Sequence, residues 1–163
     1  MLFFRKKKKL SDAIILTIAL VIPQIAGLVG SLYTIPNIKS WHSSLNKPWF
    51  SPPNWIFAPV WIILFLLMGI ASFLVYKSNS KLKNKALQLY FAQLTLNIMW
   101  SVVFFGAHNP LGGFLVIAAL WIEIAYTMDV FYKVNKTAGY LFIPYFLWVT
   151  FASILNFSIY ILN

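Results

Sequence analysis

Long apolar runs alternate along this chain with short segments that are polar or broken by proline. Five runs reach the ~20 apolar residues that a helix needs to cross hydrocarbon: 13–33, 54–76, 86–106, 112–132 and 138–161. The pattern predicts an all-α integral membrane protein, a five transmembrane helix bundle occupying 1–163 as a single domain, with 34–53 as a loop over one end. Little is left over for a soluble domain, and no internal repeat is visible.

Composition agrees with the periodicity. Of 163 residues, 61% are hydrophobic and only 10% charged, against roughly 25% charged in an average soluble domain, and the mean hydropathy is +0.79. Cysteine is absent, which excludes disulfides, thiolate metal sites and cysteine nucleophiles. The net charge of +10 would suggest nucleic acid in a soluble protein. Here its placement explains it better. With the N-terminus inside, Arg5 to Lys9, Lys77, Lys81, Lys83, Lys85, Lys133 and Lys136 fall on the cytoplasmic side, and only Lys39 and Lys47 fall outside. Eleven cations against two is the signature of the positive-inside rule in a multi-pass protein of the cell membrane, with the C-terminus outside. A signal peptide also starts with a basic run, but the apolar stretch after Asp12 is too long and lacks a small-x-small cleavage site, so it reads as a retained first helix. Pro23, Gly27 and Gly30 give that helix a kink and a small-residue face.

The least ordinary stretch is W-H-S-S-L-N-K-P-W-F-S-P-P-N-W-I-F-A-P-V-W, residues 41–61. It carries Trp41, Trp49, Trp55 and Trp61, four of the seven tryptophans, and four of the eight prolines. Proline fixes φ, so Pro48, Pro52 and Pro53 predict a stiff lid rather than a floppy connector. Tryptophan suits either the membrane interface or a flat aromatic ligand; for Trp41, Trp49 and Trp55 both readings stand.

Beneath the lid, helical rise puts Trp61, Asn97, Glu123 and Trp148 in one layer ~10 to 18 Å down. Tyr90, Gln93, Asn97, Trp100 and Ser101 follow i, i+3, i+4 spacing and form one polar and aromatic stripe, which should face the bundle interior because amides are costly against lipid. Thr150, Ser153 and Asn156 add polar atoms on the last helix. Glu123, the one acid in the middle of a span, is a candidate by its position alone, with a protonated, hydrogen-bonded carboxyl as the plainer reading. His42 and His108 fall on the lid side, where an imidazole could meet an iron or simply cap and hydrogen-bond. No paired carboxylate, activated nucleophile, metal cluster or phosphate loop is present, so no catalytic residue is assigned.

Taken together, these residues resemble the translocator protein family, also called tryptophan-rich sensory proteins or peripheral benzodiazepine receptors. The likeness runs from about Pro23 to Asn156: the W-H-S-S-L-N-K-P segment with P-P-N-W and P-V-W, then L-L-M-G at 66–69, Q-L-T-L-N at 93–97 with W-S and F-F-G, and I-P-Y-F-L-W at 143–148 with F-A and L-N. The resemblance implies a five-helix bundle, commonly a homodimer, that binds porphyrin or haem as a ligand with no obligatory cofactor. It implies pocket roles for Trp61, Asn97 and Trp148. The ligand-binding set expected on both grounds is Trp61, Asn97, Trp148, Trp41, His42, Lys47, Gln93 and Trp100. Partners would be a small porphyrin-like hydrophobic ligand and the lipid bilayer, without nucleic acid. The picture is a macrocycle between Trp61 and Trp148 with its propionates toward Lys39, Lys47 and a protonated His42. Two alternatives stay open, a light-dependent porphyrin-degrading enzyme and a binder of another hydrophobic molecule. His42 stands where many members have Tyr, and the last helix lacks the Tyr-plus-basic pattern proposed for cholesterol.

The charge asymmetry makes a direct prediction. Cysteines introduced at Ser44 and Ser80 into the cysteine-free chain, probed on intact cells with a membrane-impermeant thiol reagent, should label at 44 and not at 80; the reverse pattern would overturn the orientation.

Overall fold

A computed structural model describes residues 11–163; the Arg5 to Lys9 run lies outside the described residues. The chain forms α1 (Asp12–Ile38), a one-turn α2 (Trp41–Ser44), a 3-10 turn (Asn54–Ile56), α3 (Phe57–Lys77), α4 (Lys83–Ser101) ending in a π turn (Val102–Gly106), α5 (Pro110–Val134), a short α6 (Lys136–Tyr140) and α7 (Ile143–Leu162). Five of these helical stretches are long and apolar enough to cross a membrane: Asp12–Ile38, Asn54–Lys77, Lys83–Gly106, Pro110–Val134 and Lys136–Leu162. The expected all-α, five-span architecture is therefore what the chain adopts.

Boundaries follow local chemistry. Ser11 caps α1 by accepting from the Ile14 N–H, Asn109 caps α5 from its side chain with Pro110 following, and Asn135 caps α6 in the same way, as short polar side chains do at helix starts. The first helix runs to Ile38, five residues past the expected end at 33, and the lid is correspondingly shorter. The polar residues there need no loop. Thr34 Oγ1 donates to Gly30 O, Asn37 Nδ2 to Tyr33 O and, just past the helix end, Ser40 Oγ to Pro36 O, so each finds its partner on α1.

Around the bundle, α1 packs along α3 and α4, α4 along α5, and α5 along α7. Large side chains bridge α3 and α7 across the interior: Trp61 stands edge-on to Tyr145 at 6.1 Å and Phe57 edge-on to Trp148 at 5.7 Å. A close backbone approach joins α1 and α3. Pro23 lacks the N–H that would bond Ala19 O four residues back, and Gly69 presses onto that same carbonyl. A Cβ added at Gly69 would sit 2.7 Å from Ala19 O and 2.9 Å from Leu20 Cα, so only glycine fits the crossing.

Alternating direction gathers Lys77, Lys81, Lys83, Lys85, Lys133 and Lys136 at one end, opposite Lys39 and Lys47. The Lys77–Asp12 ion pair at 2.6 Å ties the end of α3 to the start of α1, and Lys133 pairs with Asp129 one turn away on α5. Lys83 and Lys85 lie over the rings of Tyr76 and Tyr126.

Candidate functional site

The bundle interior gathers polar residues from several helices. On α4, Tyr90, Gln93, Asn97 and Ser101 are buried, which is the stripe expected from spacing. Asn97 Nδ2 donates to the Tyr145 hydroxyl at 2.9 Å, and that hydroxyl donates to Gln93 Oε1 at 2.8 Å. Gln93 Nε2 completes the chain with a contact to Met68 Sδ at 3.5 Å. A second knot holds the lid side: Trp100 Nε1 donates to Asn156 Oδ1 at 2.9 Å, and Asn156 Nδ2 donates to Pro110 O at 2.9 Å. Both knots join different helices, as polar groups in hydrocarbon must.

Between them lies a cavity of about 410 Å³ walled by α1, α3, α4 and α7. Gln24, Gly27, Leu28, Ser31, Thr34 and Ile35 form the α1 side; Phe57, Trp61, Ile62 and Phe65 form the α3 side. Asn97, Trp100, Ser101, Phe104 and Phe105 come from α4 and its π turn, and Ala152, Leu155, Asn156 and Ile159 from α7. Among the described residues, no Asp, Glu, Lys or Arg lines the cavity. The π turn inserts an extra residue at the end of α4, where the consecutive Phe104 and Phe105 are both buried.

Of the expected ligand set, Trp61, Asn97, Trp100 and His42 lie on the cavity wall. The other four do not. Trp148 packs edge-on against Phe57 and beside Phe151, so Phe57 rather than Trp148 presents the ring to the void; the Trp148 Nε1 is buried without a partner. Trp41 stacks on His108 at 4.6 Å and meets Phe104 edge-on at 5.4 Å, which pins the lid to the α4–α5 turn. Gln93 is one step behind Asn97. Lys47 stays at the lid, within electrostatic reach of His42. Trp49 and Trp55 are 95% and 72% exposed and point away from the cavity. Glu123 sits on α5, which contributes nothing to the wall, although its Oε1 is buried without a partner.

His42 departs from the expectation of a protonated imidazole. Burial first, and the positive charge of Lys47 second, lower its pKa from 6.5 to about 4, so the ring at the mouth is neutral. His108 is engaged elsewhere, with Nε2 2.8 Å from Asn37 Oδ1. Two features, one behind the wall and one on it, escaped sequence reasoning. Tyr145 was signalled by a hydroxyl in the middle of an apolar span, which needs an internal partner. Gln24, beside a helix-breaking proline, donates from Nε2 to Ile62 O at 3.1 Å.

The model of the TspO/MBR family matches residues 19–162. The chain belongs to that family. Among TspO/MBR relatives, the tryptophan-rich protein TspO of Chlorobaculum tepidum is 46% identical over 154 residues, covering 91% of this chain and 97% of the relative. The protein of the same name from Archaeoglobus fulgidus is 40% identical over 137 residues, covering 84% and 89%. The translocator protein of Homo sapiens is 34% identical over 143 residues, covering 85% and 83%. TspO/MBR membership thus rests on nearly the whole bundle.

The neutral His42 predicts how stability depends on pH. As pH falls from about 6.5 to about 4, the unfolded chain takes up a proton at this position that the folded protein refuses, so folded stability drops through that window and levels off below it. In lipid nanodiscs the wild-type Tm should fall over this range more steeply than that of His42→Gln; parallel profiles would show that His42 is not held neutral.

Proposed function

We propose that this TspO/MBR protein binds a tetrapyrrole, porphyrin or haem, inside the bilayer and serves in porphyrin handling, transport or stress-linked regulation. The observation that carries the reading is an uncharged, aromatic-walled chamber with a polar floor at Asn97 and, at its mouth, His42 under the charge of the lid cation Lys47. A cavity of about 410 Å³ is within the usual range for small-molecule sites, roughly 300–1,000 Å³. A flat conjugated ring gains from stacking and edge contacts with Trp61, Phe57, Phe65 and Trp100. Its carboxylates would be disfavoured in a chamber without cations and favoured near Lys47 and the exposed Lys39, where they remain hydrated. The names of relatives, translocator and tryptophan-rich protein, are compatible with a carrier or sensor and choose between neither.

Trp61 has the leading role in this reading and Trp148 a supporting one through Phe57. Following the Soret band of protoporphyrin IX titrated with protein in nanodiscs, Trp61→Ala should raise Kd by on the order of tenfold, about 1.4 kcal/mol. Trp49→Ala, at a ring turned to the outside, should leave Kd unchanged. Equal Kd for Trp61→Ala and wild type would remove the chamber as the tetrapyrrole site.

A further inference from the structure

Three residues on the cavity wall are also among the most exposed in the membrane-spanning part: Leu28 at 66% and Ile35 at 67% on α1, and Ile62 at 53% on α3. A side chain that both lines a void and faces outward marks an opening. Here the opening lies on the flank of the bundle, within the spans Asp12–Ile38 and Asn54–Lys77, where the surroundings are hydrocarbon. We propose that the cavity communicates sideways with the bilayer through a slit between α1 and α3, and that its ligands are membrane-dissolved amphiphiles that arrive from the lipid rather than past the lid.

The two helices are shaped for this. They are pinned at the Gly69–Ala19 crossing, and one to two turns closer to the lid the Gln24 Nε2 to Ile62 O bond spans the gap and closes the lower end of the slit. Above that bond the α1 wall is lined by Gly27, Leu28, Ser31, Thr34 and Ile35. The rim tolerates lipid because its hydroxyl protons are already used. Ser31 Oγ donates to Leu28 O and Thr34 Oγ1 to Gly30 O, so neither requires water.

The lid end, by contrast, is fastened. Asn46 N donates to Asn163 Oδ1 at 2.9 Å, Asn163 Nδ2 to Asn46 O at 3.0 Å and Asn46 Nδ2 to Leu162 O at 3.2 Å. Trp41 is held between His108 and Phe104, and Phe50 rests on Phe151. Passage there would have to break the clasp and unstack the indole, whereas passage between α1 and α3 needs at most one amide bond. For an amphiphile with a flat apolar body the side route also keeps the body out of water throughout. The identity of the ligand rests on the tetrapyrrole reading, but the route does not.

Thiol labelling tests the route without any ligand. In the cysteine-free chain, Ala152→Cys puts one thiol on the far wall of the cavity. In liposomes, bilayer-dissolved N-(1-pyrenyl)maleimide should alkylate it, while a water-soluble cationic methanethiosulfonate should not. Adding Ser31→Trp, or Leu28→Trp as an independent filler of the slit, should slow the alkylation by about tenfold, equivalent to roughly 1.4 kcal/mol on the barrier. Leu28→Ala should speed it, and loosening the clasp with Asn46→Ala and Asn163→Ala should leave it unchanged. Labelling by the cationic reagent, acceleration by loosening the clasp, or no labelling by either reagent, as when a second copy covers the slit, would each overturn the proposal. A protein that alkylates as expected yet binds no porphyrin would reject the tetrapyrrole reading and leave the route standing.

Discussion

Hydrocarbon offers no water to a polar atom that lacks a partner, and that constraint organises this bundle. The Asn97, Tyr145 and Gln93 chain and the Trp100, Asn156 and Pro110 chain are each a way of satisfying side chains that could not face lipid. Satisfying them fixes which face of α4 points inward and at what height α7 sits against it. Replacing Tyr145 by phenylalanine would strip Asn97 and Gln93 of their shared partner at once, which is why a single hydroxyl carries more structural weight than its size suggests.

The same constraint leaves one wall free to vary. Helices α4, α5 and α7 are knotted to one another by side-chain bonds, whereas α1 meets α3 through a glycine crossing, one glutamine bond, apolar contact and, at the end away from the lid, the exposed Lys77–Asp12 pair. Only 17% of the apolar window of α1 is buried, against 33% to 39% in the other four spans. A chamber walled by the bonded helices α4 and α7, by α3, and on its remaining side by the less buried α1 combines a fixed recognition surface with a movable side. Shape is set by Trp61, Phe65, Trp100 and Phe104, while access depends on α1.

How much of this the sequence disclosed follows from which interactions are local. Span number, the inward stripe on α4 and the segregation of lysines depend on periodicity and counting, and all three are legible. The end of α1 was misjudged because Thr34, Asn37 and Ser40 bond to carbonyls of α1, a local option that composition does not distinguish from a loop. Depth alone placed Trp61 and Trp148 in one layer, but depth does not give azimuth. Trp148 is turned behind Phe57, and Trp41 is spent on His108. The charge state of His42 depends on its burial and on a lysine five positions away, neither of which is a property of the residue itself.

The account stands or falls on what occupies an uncharged aromatic chamber in the native membrane. Mass spectrometry and absorption spectroscopy of the protein extracted gently into nanodiscs, with Trp61→Ala prepared in parallel, address this directly. The account predicts a co-purifying conjugated, carboxylate-bearing macrocycle with a Soret band, retained by the wild type and depleted in Trp61→Ala. Recovery of phospholipid alone, or of the same macrocycle in equal amount from both proteins, would contradict it.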